Sequence, residues 1–99
     1  MSEKTLIKEH VHIKTRKPKL YKVIMHNDDY TTMEFVVEIL INIFNKTAPE
    51  ATKVMLDVHK KGVGVAGIYP YDIAVTKVTQ AHNEAKENEF PLKLSLKEE

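Results

Sequence analysis

Cysteine and tryptophan are both missing from the 99 residues, and there are only three glycines and four prolines. Without cysteine there is no disulfide framework and no thiolate metal site, which suits a reducing compartment. No Gly-rich loop is present to cradle a phosphate, and no HExxH helix to hold a catalytic zinc. No serine stands in a recognisable nucleophile elbow with a partner set. No apolar run approaches the roughly 18–20 residues that cross a bilayer. Met1 to Lys17 hold no apolar core like that of a secretory signal. An excess of charge is missing too: fifteen Lys and Arg against fourteen Asp and Glu leave a formal +1. No global field therefore draws the chain to nucleic acid or to a membrane. The expectation is a cytoplasmic chain without metal or cofactor, and not an enzyme.

What is there suits one small domain. Apolar residues make up 42% and charged residues 29% of the chain, ordinary values for a globular protein whose size allows a single core. Residues 1 to 19 stand apart: Lys4, Lys8, Lys14, Arg16, Lys17 and Lys19 face only Glu3 and Glu9, and the segment ends near Pro18. They read as a flexible N-terminal extension, with a short strand over Thr5–Lys14 as the alternative. Residues 20 to 99 read as the folded domain. Leu20 to His26 is β-rich and runs into the polar turn Asn27-Asp28-Asp29-Tyr30. Thr31 with Glu34 makes a capping-box pattern, followed by Met33, Val36, Val37, Leu40, Ile43 and Phe44 at helical spacing. Asn45-Lys46 stops that helix. Thr47 with Glu50 repeats the capping pattern, and Ala51, Val54, Met55 and Val58 form the second apolar stripe. Gly62 suits a left-handed stop, preceded by His59, Lys60 and Lys61 at the negative end of the dipole. Val63–Ile68 reads as a strand. Pro70 opens a third helix with Ile73, Ala74, Val78, Ala81 and Ala85 inward, and Leu92 to Leu96 alternates as a last strand. The order β-α-α-β-α-β predicts an α+β fold: a three-stranded antiparallel sheet packed with three helices.

Two polar sets stand out: His26-Asn27-Asp28-Asp29 at the end of the first strand, and His59 in the last turn of the second helix. Carboxylates with an imidazole suit acid–base work or metal ligation through His26, Asp28, Asp29 and His59. The spacing fits no defined metal loop, however. Each residue also has a plainer reading: His59 as a helix-end cation, Asn27 as a turn former, and Met33, Val36, Met55 and Val58 as core. Residue types and periodicity leave these alternatives open.

The run Tyr21-Lys22-Val23-Ile24-Met25-His26-Asn27-Asp28-Asp29-Tyr30-Thr31-Thr32-Met33-Glu34-Phe35-Val36 resembles the signature region of the ClpS adaptor family. Further landmarks follow in the same order: Ala51-Thr52 leading to Met55-Leu56-Asp57-Val58-His59, then Gly62 to Gly67, then Glu87-Asn88-Glu89-Phe90-Pro91-Leu92. The resemblance spans residues 20 to 96. It implies a fold similar to the C-terminal domain of the bacterial ribosomal stalk protein. It also implies an adaptor that binds N-end-rule substrates by a first residue of Leu, Phe, Tyr or Trp. Such an adaptor hands them to the N-domain of a Clp-family AAA+ unfoldase for proteolysis, and a monomer is expected. By correspondence Asn27, Asp28, Asp29 and His59 bind the α-amino group. Thr31, Met33, Val36, Met55, Val58 and Leu92 form the side-chain pocket, with Met33 as its gate. Asp72 and Lys77 match unfoldase-docking positions, and residues 1 to 19 a delivery handle. Two positions depart: Thr32 stands where many relatives have Pro, and Lys93, expected to face solvent, where an apolar residue occurs elsewhere. The competing class is a cargo-independent regulator of a Clp unfoldase, which would keep Asp72 and Lys77 without needing a complete pocket.

Overall fold

Strand β1 (Leu20–His26) alternates Tyr21, Val23 and Met25 on one side with Lys22, Ile24 and His26 on the other, and this period of two organises the sheet. The computed structural model describes residues 18–99. The extension read at residues 1 to 19, with its alternative strand, lies outside the described residues except for Pro18 and Lys19. Strands β2 (Val63–Pro70) and β3 (Lys93–Glu98) flank β1, both antiparallel to it, in the order β2-β1-β3. Met25 sits opposite Gly64 and Leu94, and Val23 opposite Gly67 and Leu96. One irregularity beside Val23 and Ile24 takes up Ala66 as an extra residue of β2.

Three helices, α1 (Met33–Asn42), α2 (Ala48–Lys61) and α3 (Tyr71–Glu87), complete the β-α-α-β-α-β order. The core holds Val23, Met25, Phe35, Ile39, Leu40, Phe44, Leu92 and Leu94 from strands and helices together. Helix α3 packs through Ala74, Ala81 and Ala85, small residues that let it sit close to the sheet. Ile73, expected inward, is 45% exposed. The alanine stripe takes the inner face, and Ile73 lies one residue, about 100°, away from Ala74. Lys93 points to solvent as expected.

The helix ends explain how the loops are held. At α2 the Thr47–Glu50 capping box forms in both directions, at 2.9 and 3.3 Å. Gly62 ends α2 with φ 87°, a left-handed geometry that suits glycine. At α1 the cap differs from the one read in sequence. Thr32, not Thr31, accepts from the N–H of Phe35 at 3.1 Å. The Thr31 hydroxyl is engaged elsewhere, donating to Asp28. The threonine at the position where many relatives have Pro thus supplies a side-chain cap, worth about 1 kcal/mol. The far end of α1 is closed by Lys77 of α3. Its Nζ donates to the Ile43 carbonyl at 2.6 Å and to Asn45 Oδ1 at 3.0 Å.

Candidate functional site

The N–H of Asn27, just past β1, donates to the carbonyl of Gly62 at 2.9 Å. That bond ties the end of the first strand to the corner after α2. It brings the Asn27–Tyr30 loop beside His59, which lies 32 residues further along the chain. Between the loop, the start of α1 and the last turns of α2 opens a cleft of about 440 Å³. Val36 and Val58, 6% and 3% exposed, form its buried floor, and Met55 is half-buried beside them. Met33, 42% exposed, stands at the mouth. Asn27, Asp28, Asp29, Thr31 and His59 supply the polar part of the lining.

Asp28 shapes this rim. Its Oδ1 accepts from the N–H groups of Tyr30 and Thr31 at 2.8 and 2.7 Å, and its Oδ2 accepts from the Thr31 hydroxyl at 2.7 Å. Partial desolvation pushes the carboxyl upward. The Thr31 hydroxyl, the Thr31 N–H and the Tyr30 N–H together outweigh that push, so the group titrates below its ordinary value. A carboxyl depressed by folding stabilises the native state above the unfolded value, about pH 3.9. That contribution disappears as the pH falls through the lower, folded value. Below about pH 4, the thermal midpoint of the wild type is therefore expected to fall more steeply than that of Asp28→Asn. Parallel curves would assign no linkage to this carboxyl.

Of the residues read from sequence as pocket or rim, all but one line the cleft. Leu92 does not. It is 5% exposed in the core, because it shares the alternation of Leu94 and so faces the packed side of the sheet. Tyr30 and Thr32 also line the cleft and were not read as site residues. Their signal was their place in the run between Asp29 and Met33. The four-residue ligand set weighed from sequence does not assemble. His26 Nε2 lies 2.7 Å from Ser95 Oγ on the other face of the sheet. Among the described residues no three of His, Asp and Glu come close enough to hold a metal ion. Among them, too, no helix is long and apolar enough to cross a membrane.

Asp72 and Lys77 line a second, shallower groove on α3 with Ile73, Thr76 and Gln80. Asp72 is exposed. Lys77 is half-buried and serves the fold: besides its two hydrogen bonds, its ammonium lies 5.2 Å from the ring centre of Tyr69.

Acceptors placed at the rim of an apolar floor suit a cation with an apolar substituent. Comparison with known proteins identifies the family. Residues 16–95 match the family model described as ATP-dependent Clp protease adaptor protein ClpS. The ATP-dependent Clp protease adapter protein ClpS of Acetivibrio thermocellus is 60% identical over 92 residues, 93% of each chain. That of Clostridium acetobutylicum is 57% identical over 100 aligned positions, 99% of each chain. Both are named as adapters, a class without catalytic activity of its own. A solved structure of Agrobacterium tumefaciens ClpS2 bound to L-phenylalaninamide superposes with a TM-score of 0.80 at 40% identity, covering 84% of this chain and 100% of that one. With its signature loop and its cleft in place, the chain belongs to the ClpS family of Clp protease adaptors.

Proposed function

We propose that the cleft holds the first residue of N-end-rule substrates, Leu, Phe, Tyr or Trp, and that the chain passes them to the N-domain of a Clp-family AAA+ unfoldase. The observation that carries this reading is the placement of Asn27, Asp29 and His59 around the floor made by Val36 and Val58. A free N-terminus is a cation with three donors, and its first side chain branches from the adjacent carbon. Phenylalaninamide, the ligand of the Agrobacterium structure, has that form: a free α-amino group beside an apolar side chain. Burying a Leu or Phe side chain yields about 1.5–3 kcal/mol, and each hydrogen bond to a charged group about 1.5–3 more. Together they reach roughly 8 kcal/mol, or micromolar affinity. That strength allows both capture and release.

Fluorescence anisotropy with peptides differing only in the first residue tests the reading. Leu- and Phe-initiated peptides are expected to bind, whereas Ile, Gly and N-acetyl-Leu peptides bind at least roughly a hundredfold more weakly, a difference of about 2.7 kcal/mol. Equal binding of all five would overturn it and favour a cargo-independent regulator.

Delivery is assigned to α3 by the family correspondence, and the two residues there should part company. Asp72→Asn is expected to slow stimulated degradation by the cognate unfoldase–protease while leaving the urea midpoint unchanged. Lys77→Ala is expected to lower that midpoint through a stability loss of about 1–2 kcal/mol, because it opens the end of α1. A Lys77→Ala protein of unchanged stability would remove that structural role.

A further inference from the structure

The helices cover one side of the sheet, and the register defines what the other side presents. Along β1 it carries Lys22, Ile24 and His26. Along β2 it carries Val63, Val65 and Ile68, and along β3 Lys93, Ser95 and Lys97. Val63, Val65 and Ile68 are 44%, 40% and 43% exposed, an aliphatic column on an edge strand. About 10 Å away, two strand spacings across, runs a column of lysines. Between the strand ends the register places no carboxylate on this face.

Two features make this more than a bare surface. Lys22 and Lys97 are direct cross-strand partners on one face, a like-charge arrangement that destabilises a sheet. Nothing inside the described chain offsets it: the ion pairs found there are Lys19–Glu98 and Lys61–Asp57, and neither involves Lys22, Lys93 or Lys97. Charge is also segregated. The whole chain carries only +1, yet between the strand ends this face carries lysines and aliphatic residues with His26 and Ser95 and no carboxylate, while Asp28, Asp29, Glu34 and Asp57 lie at the cleft end or on the helices.

We propose that the open sheet face docks an acidic polypeptide segment whose carboxylates meet Lys22, Lys93 and Lys97 and whose aliphatic side chains cover Val63, Val65 and Ile68. Residues 1 to 17 are a poor occupant, since Lys4, Lys8, Lys14, Arg16 and Lys17 outnumber Glu3 and Glu9 and would repel the lysine column. Nucleic acid is disfavoured because the apolar half of the face is aliphatic and offers no ring on which a base could stack. The surface lies on the opposite side of the sheet from the helices, so it is separate from the cleft and from the α3 groove.

The test uses the full chain, isotope-labelled for amide shift mapping, and a short peptide alternating Glu with Val. Acetylation of the peptide excludes it from any site that needs a free amine. It is expected to shift the amides of Lys22, Ile24, Val65 and Ser95, to leave Met33 and Val58 unmoved, and to weaken with added salt. Lys97→Glu turns the Lys22 pair into opposite charges. It is expected to raise the thermal midpoint and yet weaken the peptide by at least roughly tenfold, a combination that misfolding cannot produce. Equal binding of a Lys–Val peptide would overturn the proposal. So would tighter binding of oligothymidylate or phosphatidylglycerol vesicles, concentration-dependent dimerisation through this face, or no shifts at all.

Discussion

Asp28→Ala is expected to weaken binding of a Leu-initiated peptide by at least about thirtyfold, close to 2 kcal/mol. The expectation follows from what Asp28 holds, since both carboxylate oxygens are occupied by the loop itself at 2.7 to 2.8 Å. Hydrogen bonds to a charged group contribute about 1.5–3 kcal/mol each when shielded and less near a surface. Losing three of them makes the binding-competent loop a minor conformer. Apparent affinity then falls by the competent fraction, and a 2 kcal/mol clamp corresponds to a fraction of about 0.03. Thr31 lines the cleft and precedes the cap residue Thr32, so loosening the loop also displaces the start of α1, where Met33 stands. Thr31→Val removes one of the three bonds and keeps both backbone ones. It should lose less, about three- to tenfold. Anisotropy titrations well below the variants' thermal midpoints separate binding from unfolding. Unchanged affinity in Asp28→Ala would mean that the loop keeps its shape without this carboxylate.

How far the sequence anticipated the structure depends on which physical signal each feature leaves. The element order was legible from the β-rich run Leu20–His26, the helical spacing of Val36, Leu40 and Phe44 and the alternation Leu92-Leu94-Leu96, whereas Phe35 and Ile39, equally buried, fell outside the stripe read in α1. Turn chemistry was legible where one side chain has one role, as in the Thr47–Glu50 box and at Gly62. It misled at Thr31, because two adjacent threonines offer two caps. Only the competing carboxylate of Asp28 decides between them, and that is a tertiary fact of the loop. The cleft residues came from the family resemblance. Their spacing alone did not reveal that Asn27 bonds to Gly62 and so brings His59 to the loop. Leu92 was placed in the pocket by correspondence, whereas its own alternation with Leu94 already pointed to the core. The structural role of Lys77, read from the resemblance only as a docking position, was not legible: a lysine on a polar helix face shows nothing of a carbonyl 34 residues earlier in the chain. The open face of the sheet was equally silent, since a cross-strand pair such as Lys22 and Lys97 exists only once the register does.

Gly64→Val is expected to lower stability by about 2–3 kcal/mol and the thermal midpoint by roughly 10–20 °C, and with it to degrade the cleft. Gly64, near the start of edge strand β2, pairs with Met25 of the central strand and lies directly beneath α2. A Cβ built there would stand 2.9 Å from Val58 Cγ2, 3.1 Å from the Val54 carbonyl oxygen and 3.3 Å from Val54 Cγ1. All three neighbours are stiff, two β-branched side chains and helix backbone, so the strain is relieved only by moving α2 away from β2. Helix α2 brings Met55, Val58 and His59 to the cleft, so its displacement parts the floor from the polar rim. Binding of a Leu-initiated peptide should therefore drop even at temperatures where the variant is fully folded. Gly62→Ala is the informative companion. Nothing lies within 4 Å of a Cβ at Gly62, but its φ of 87° remains unfavourable for alanine. That variant should lose about 1–2 kcal/mol while keeping its affinity, because strain at the corner leaves α2 seated. If both variants lost stability and neither lost affinity, the seating of α2 on Gly64 would not be what sets the cleft.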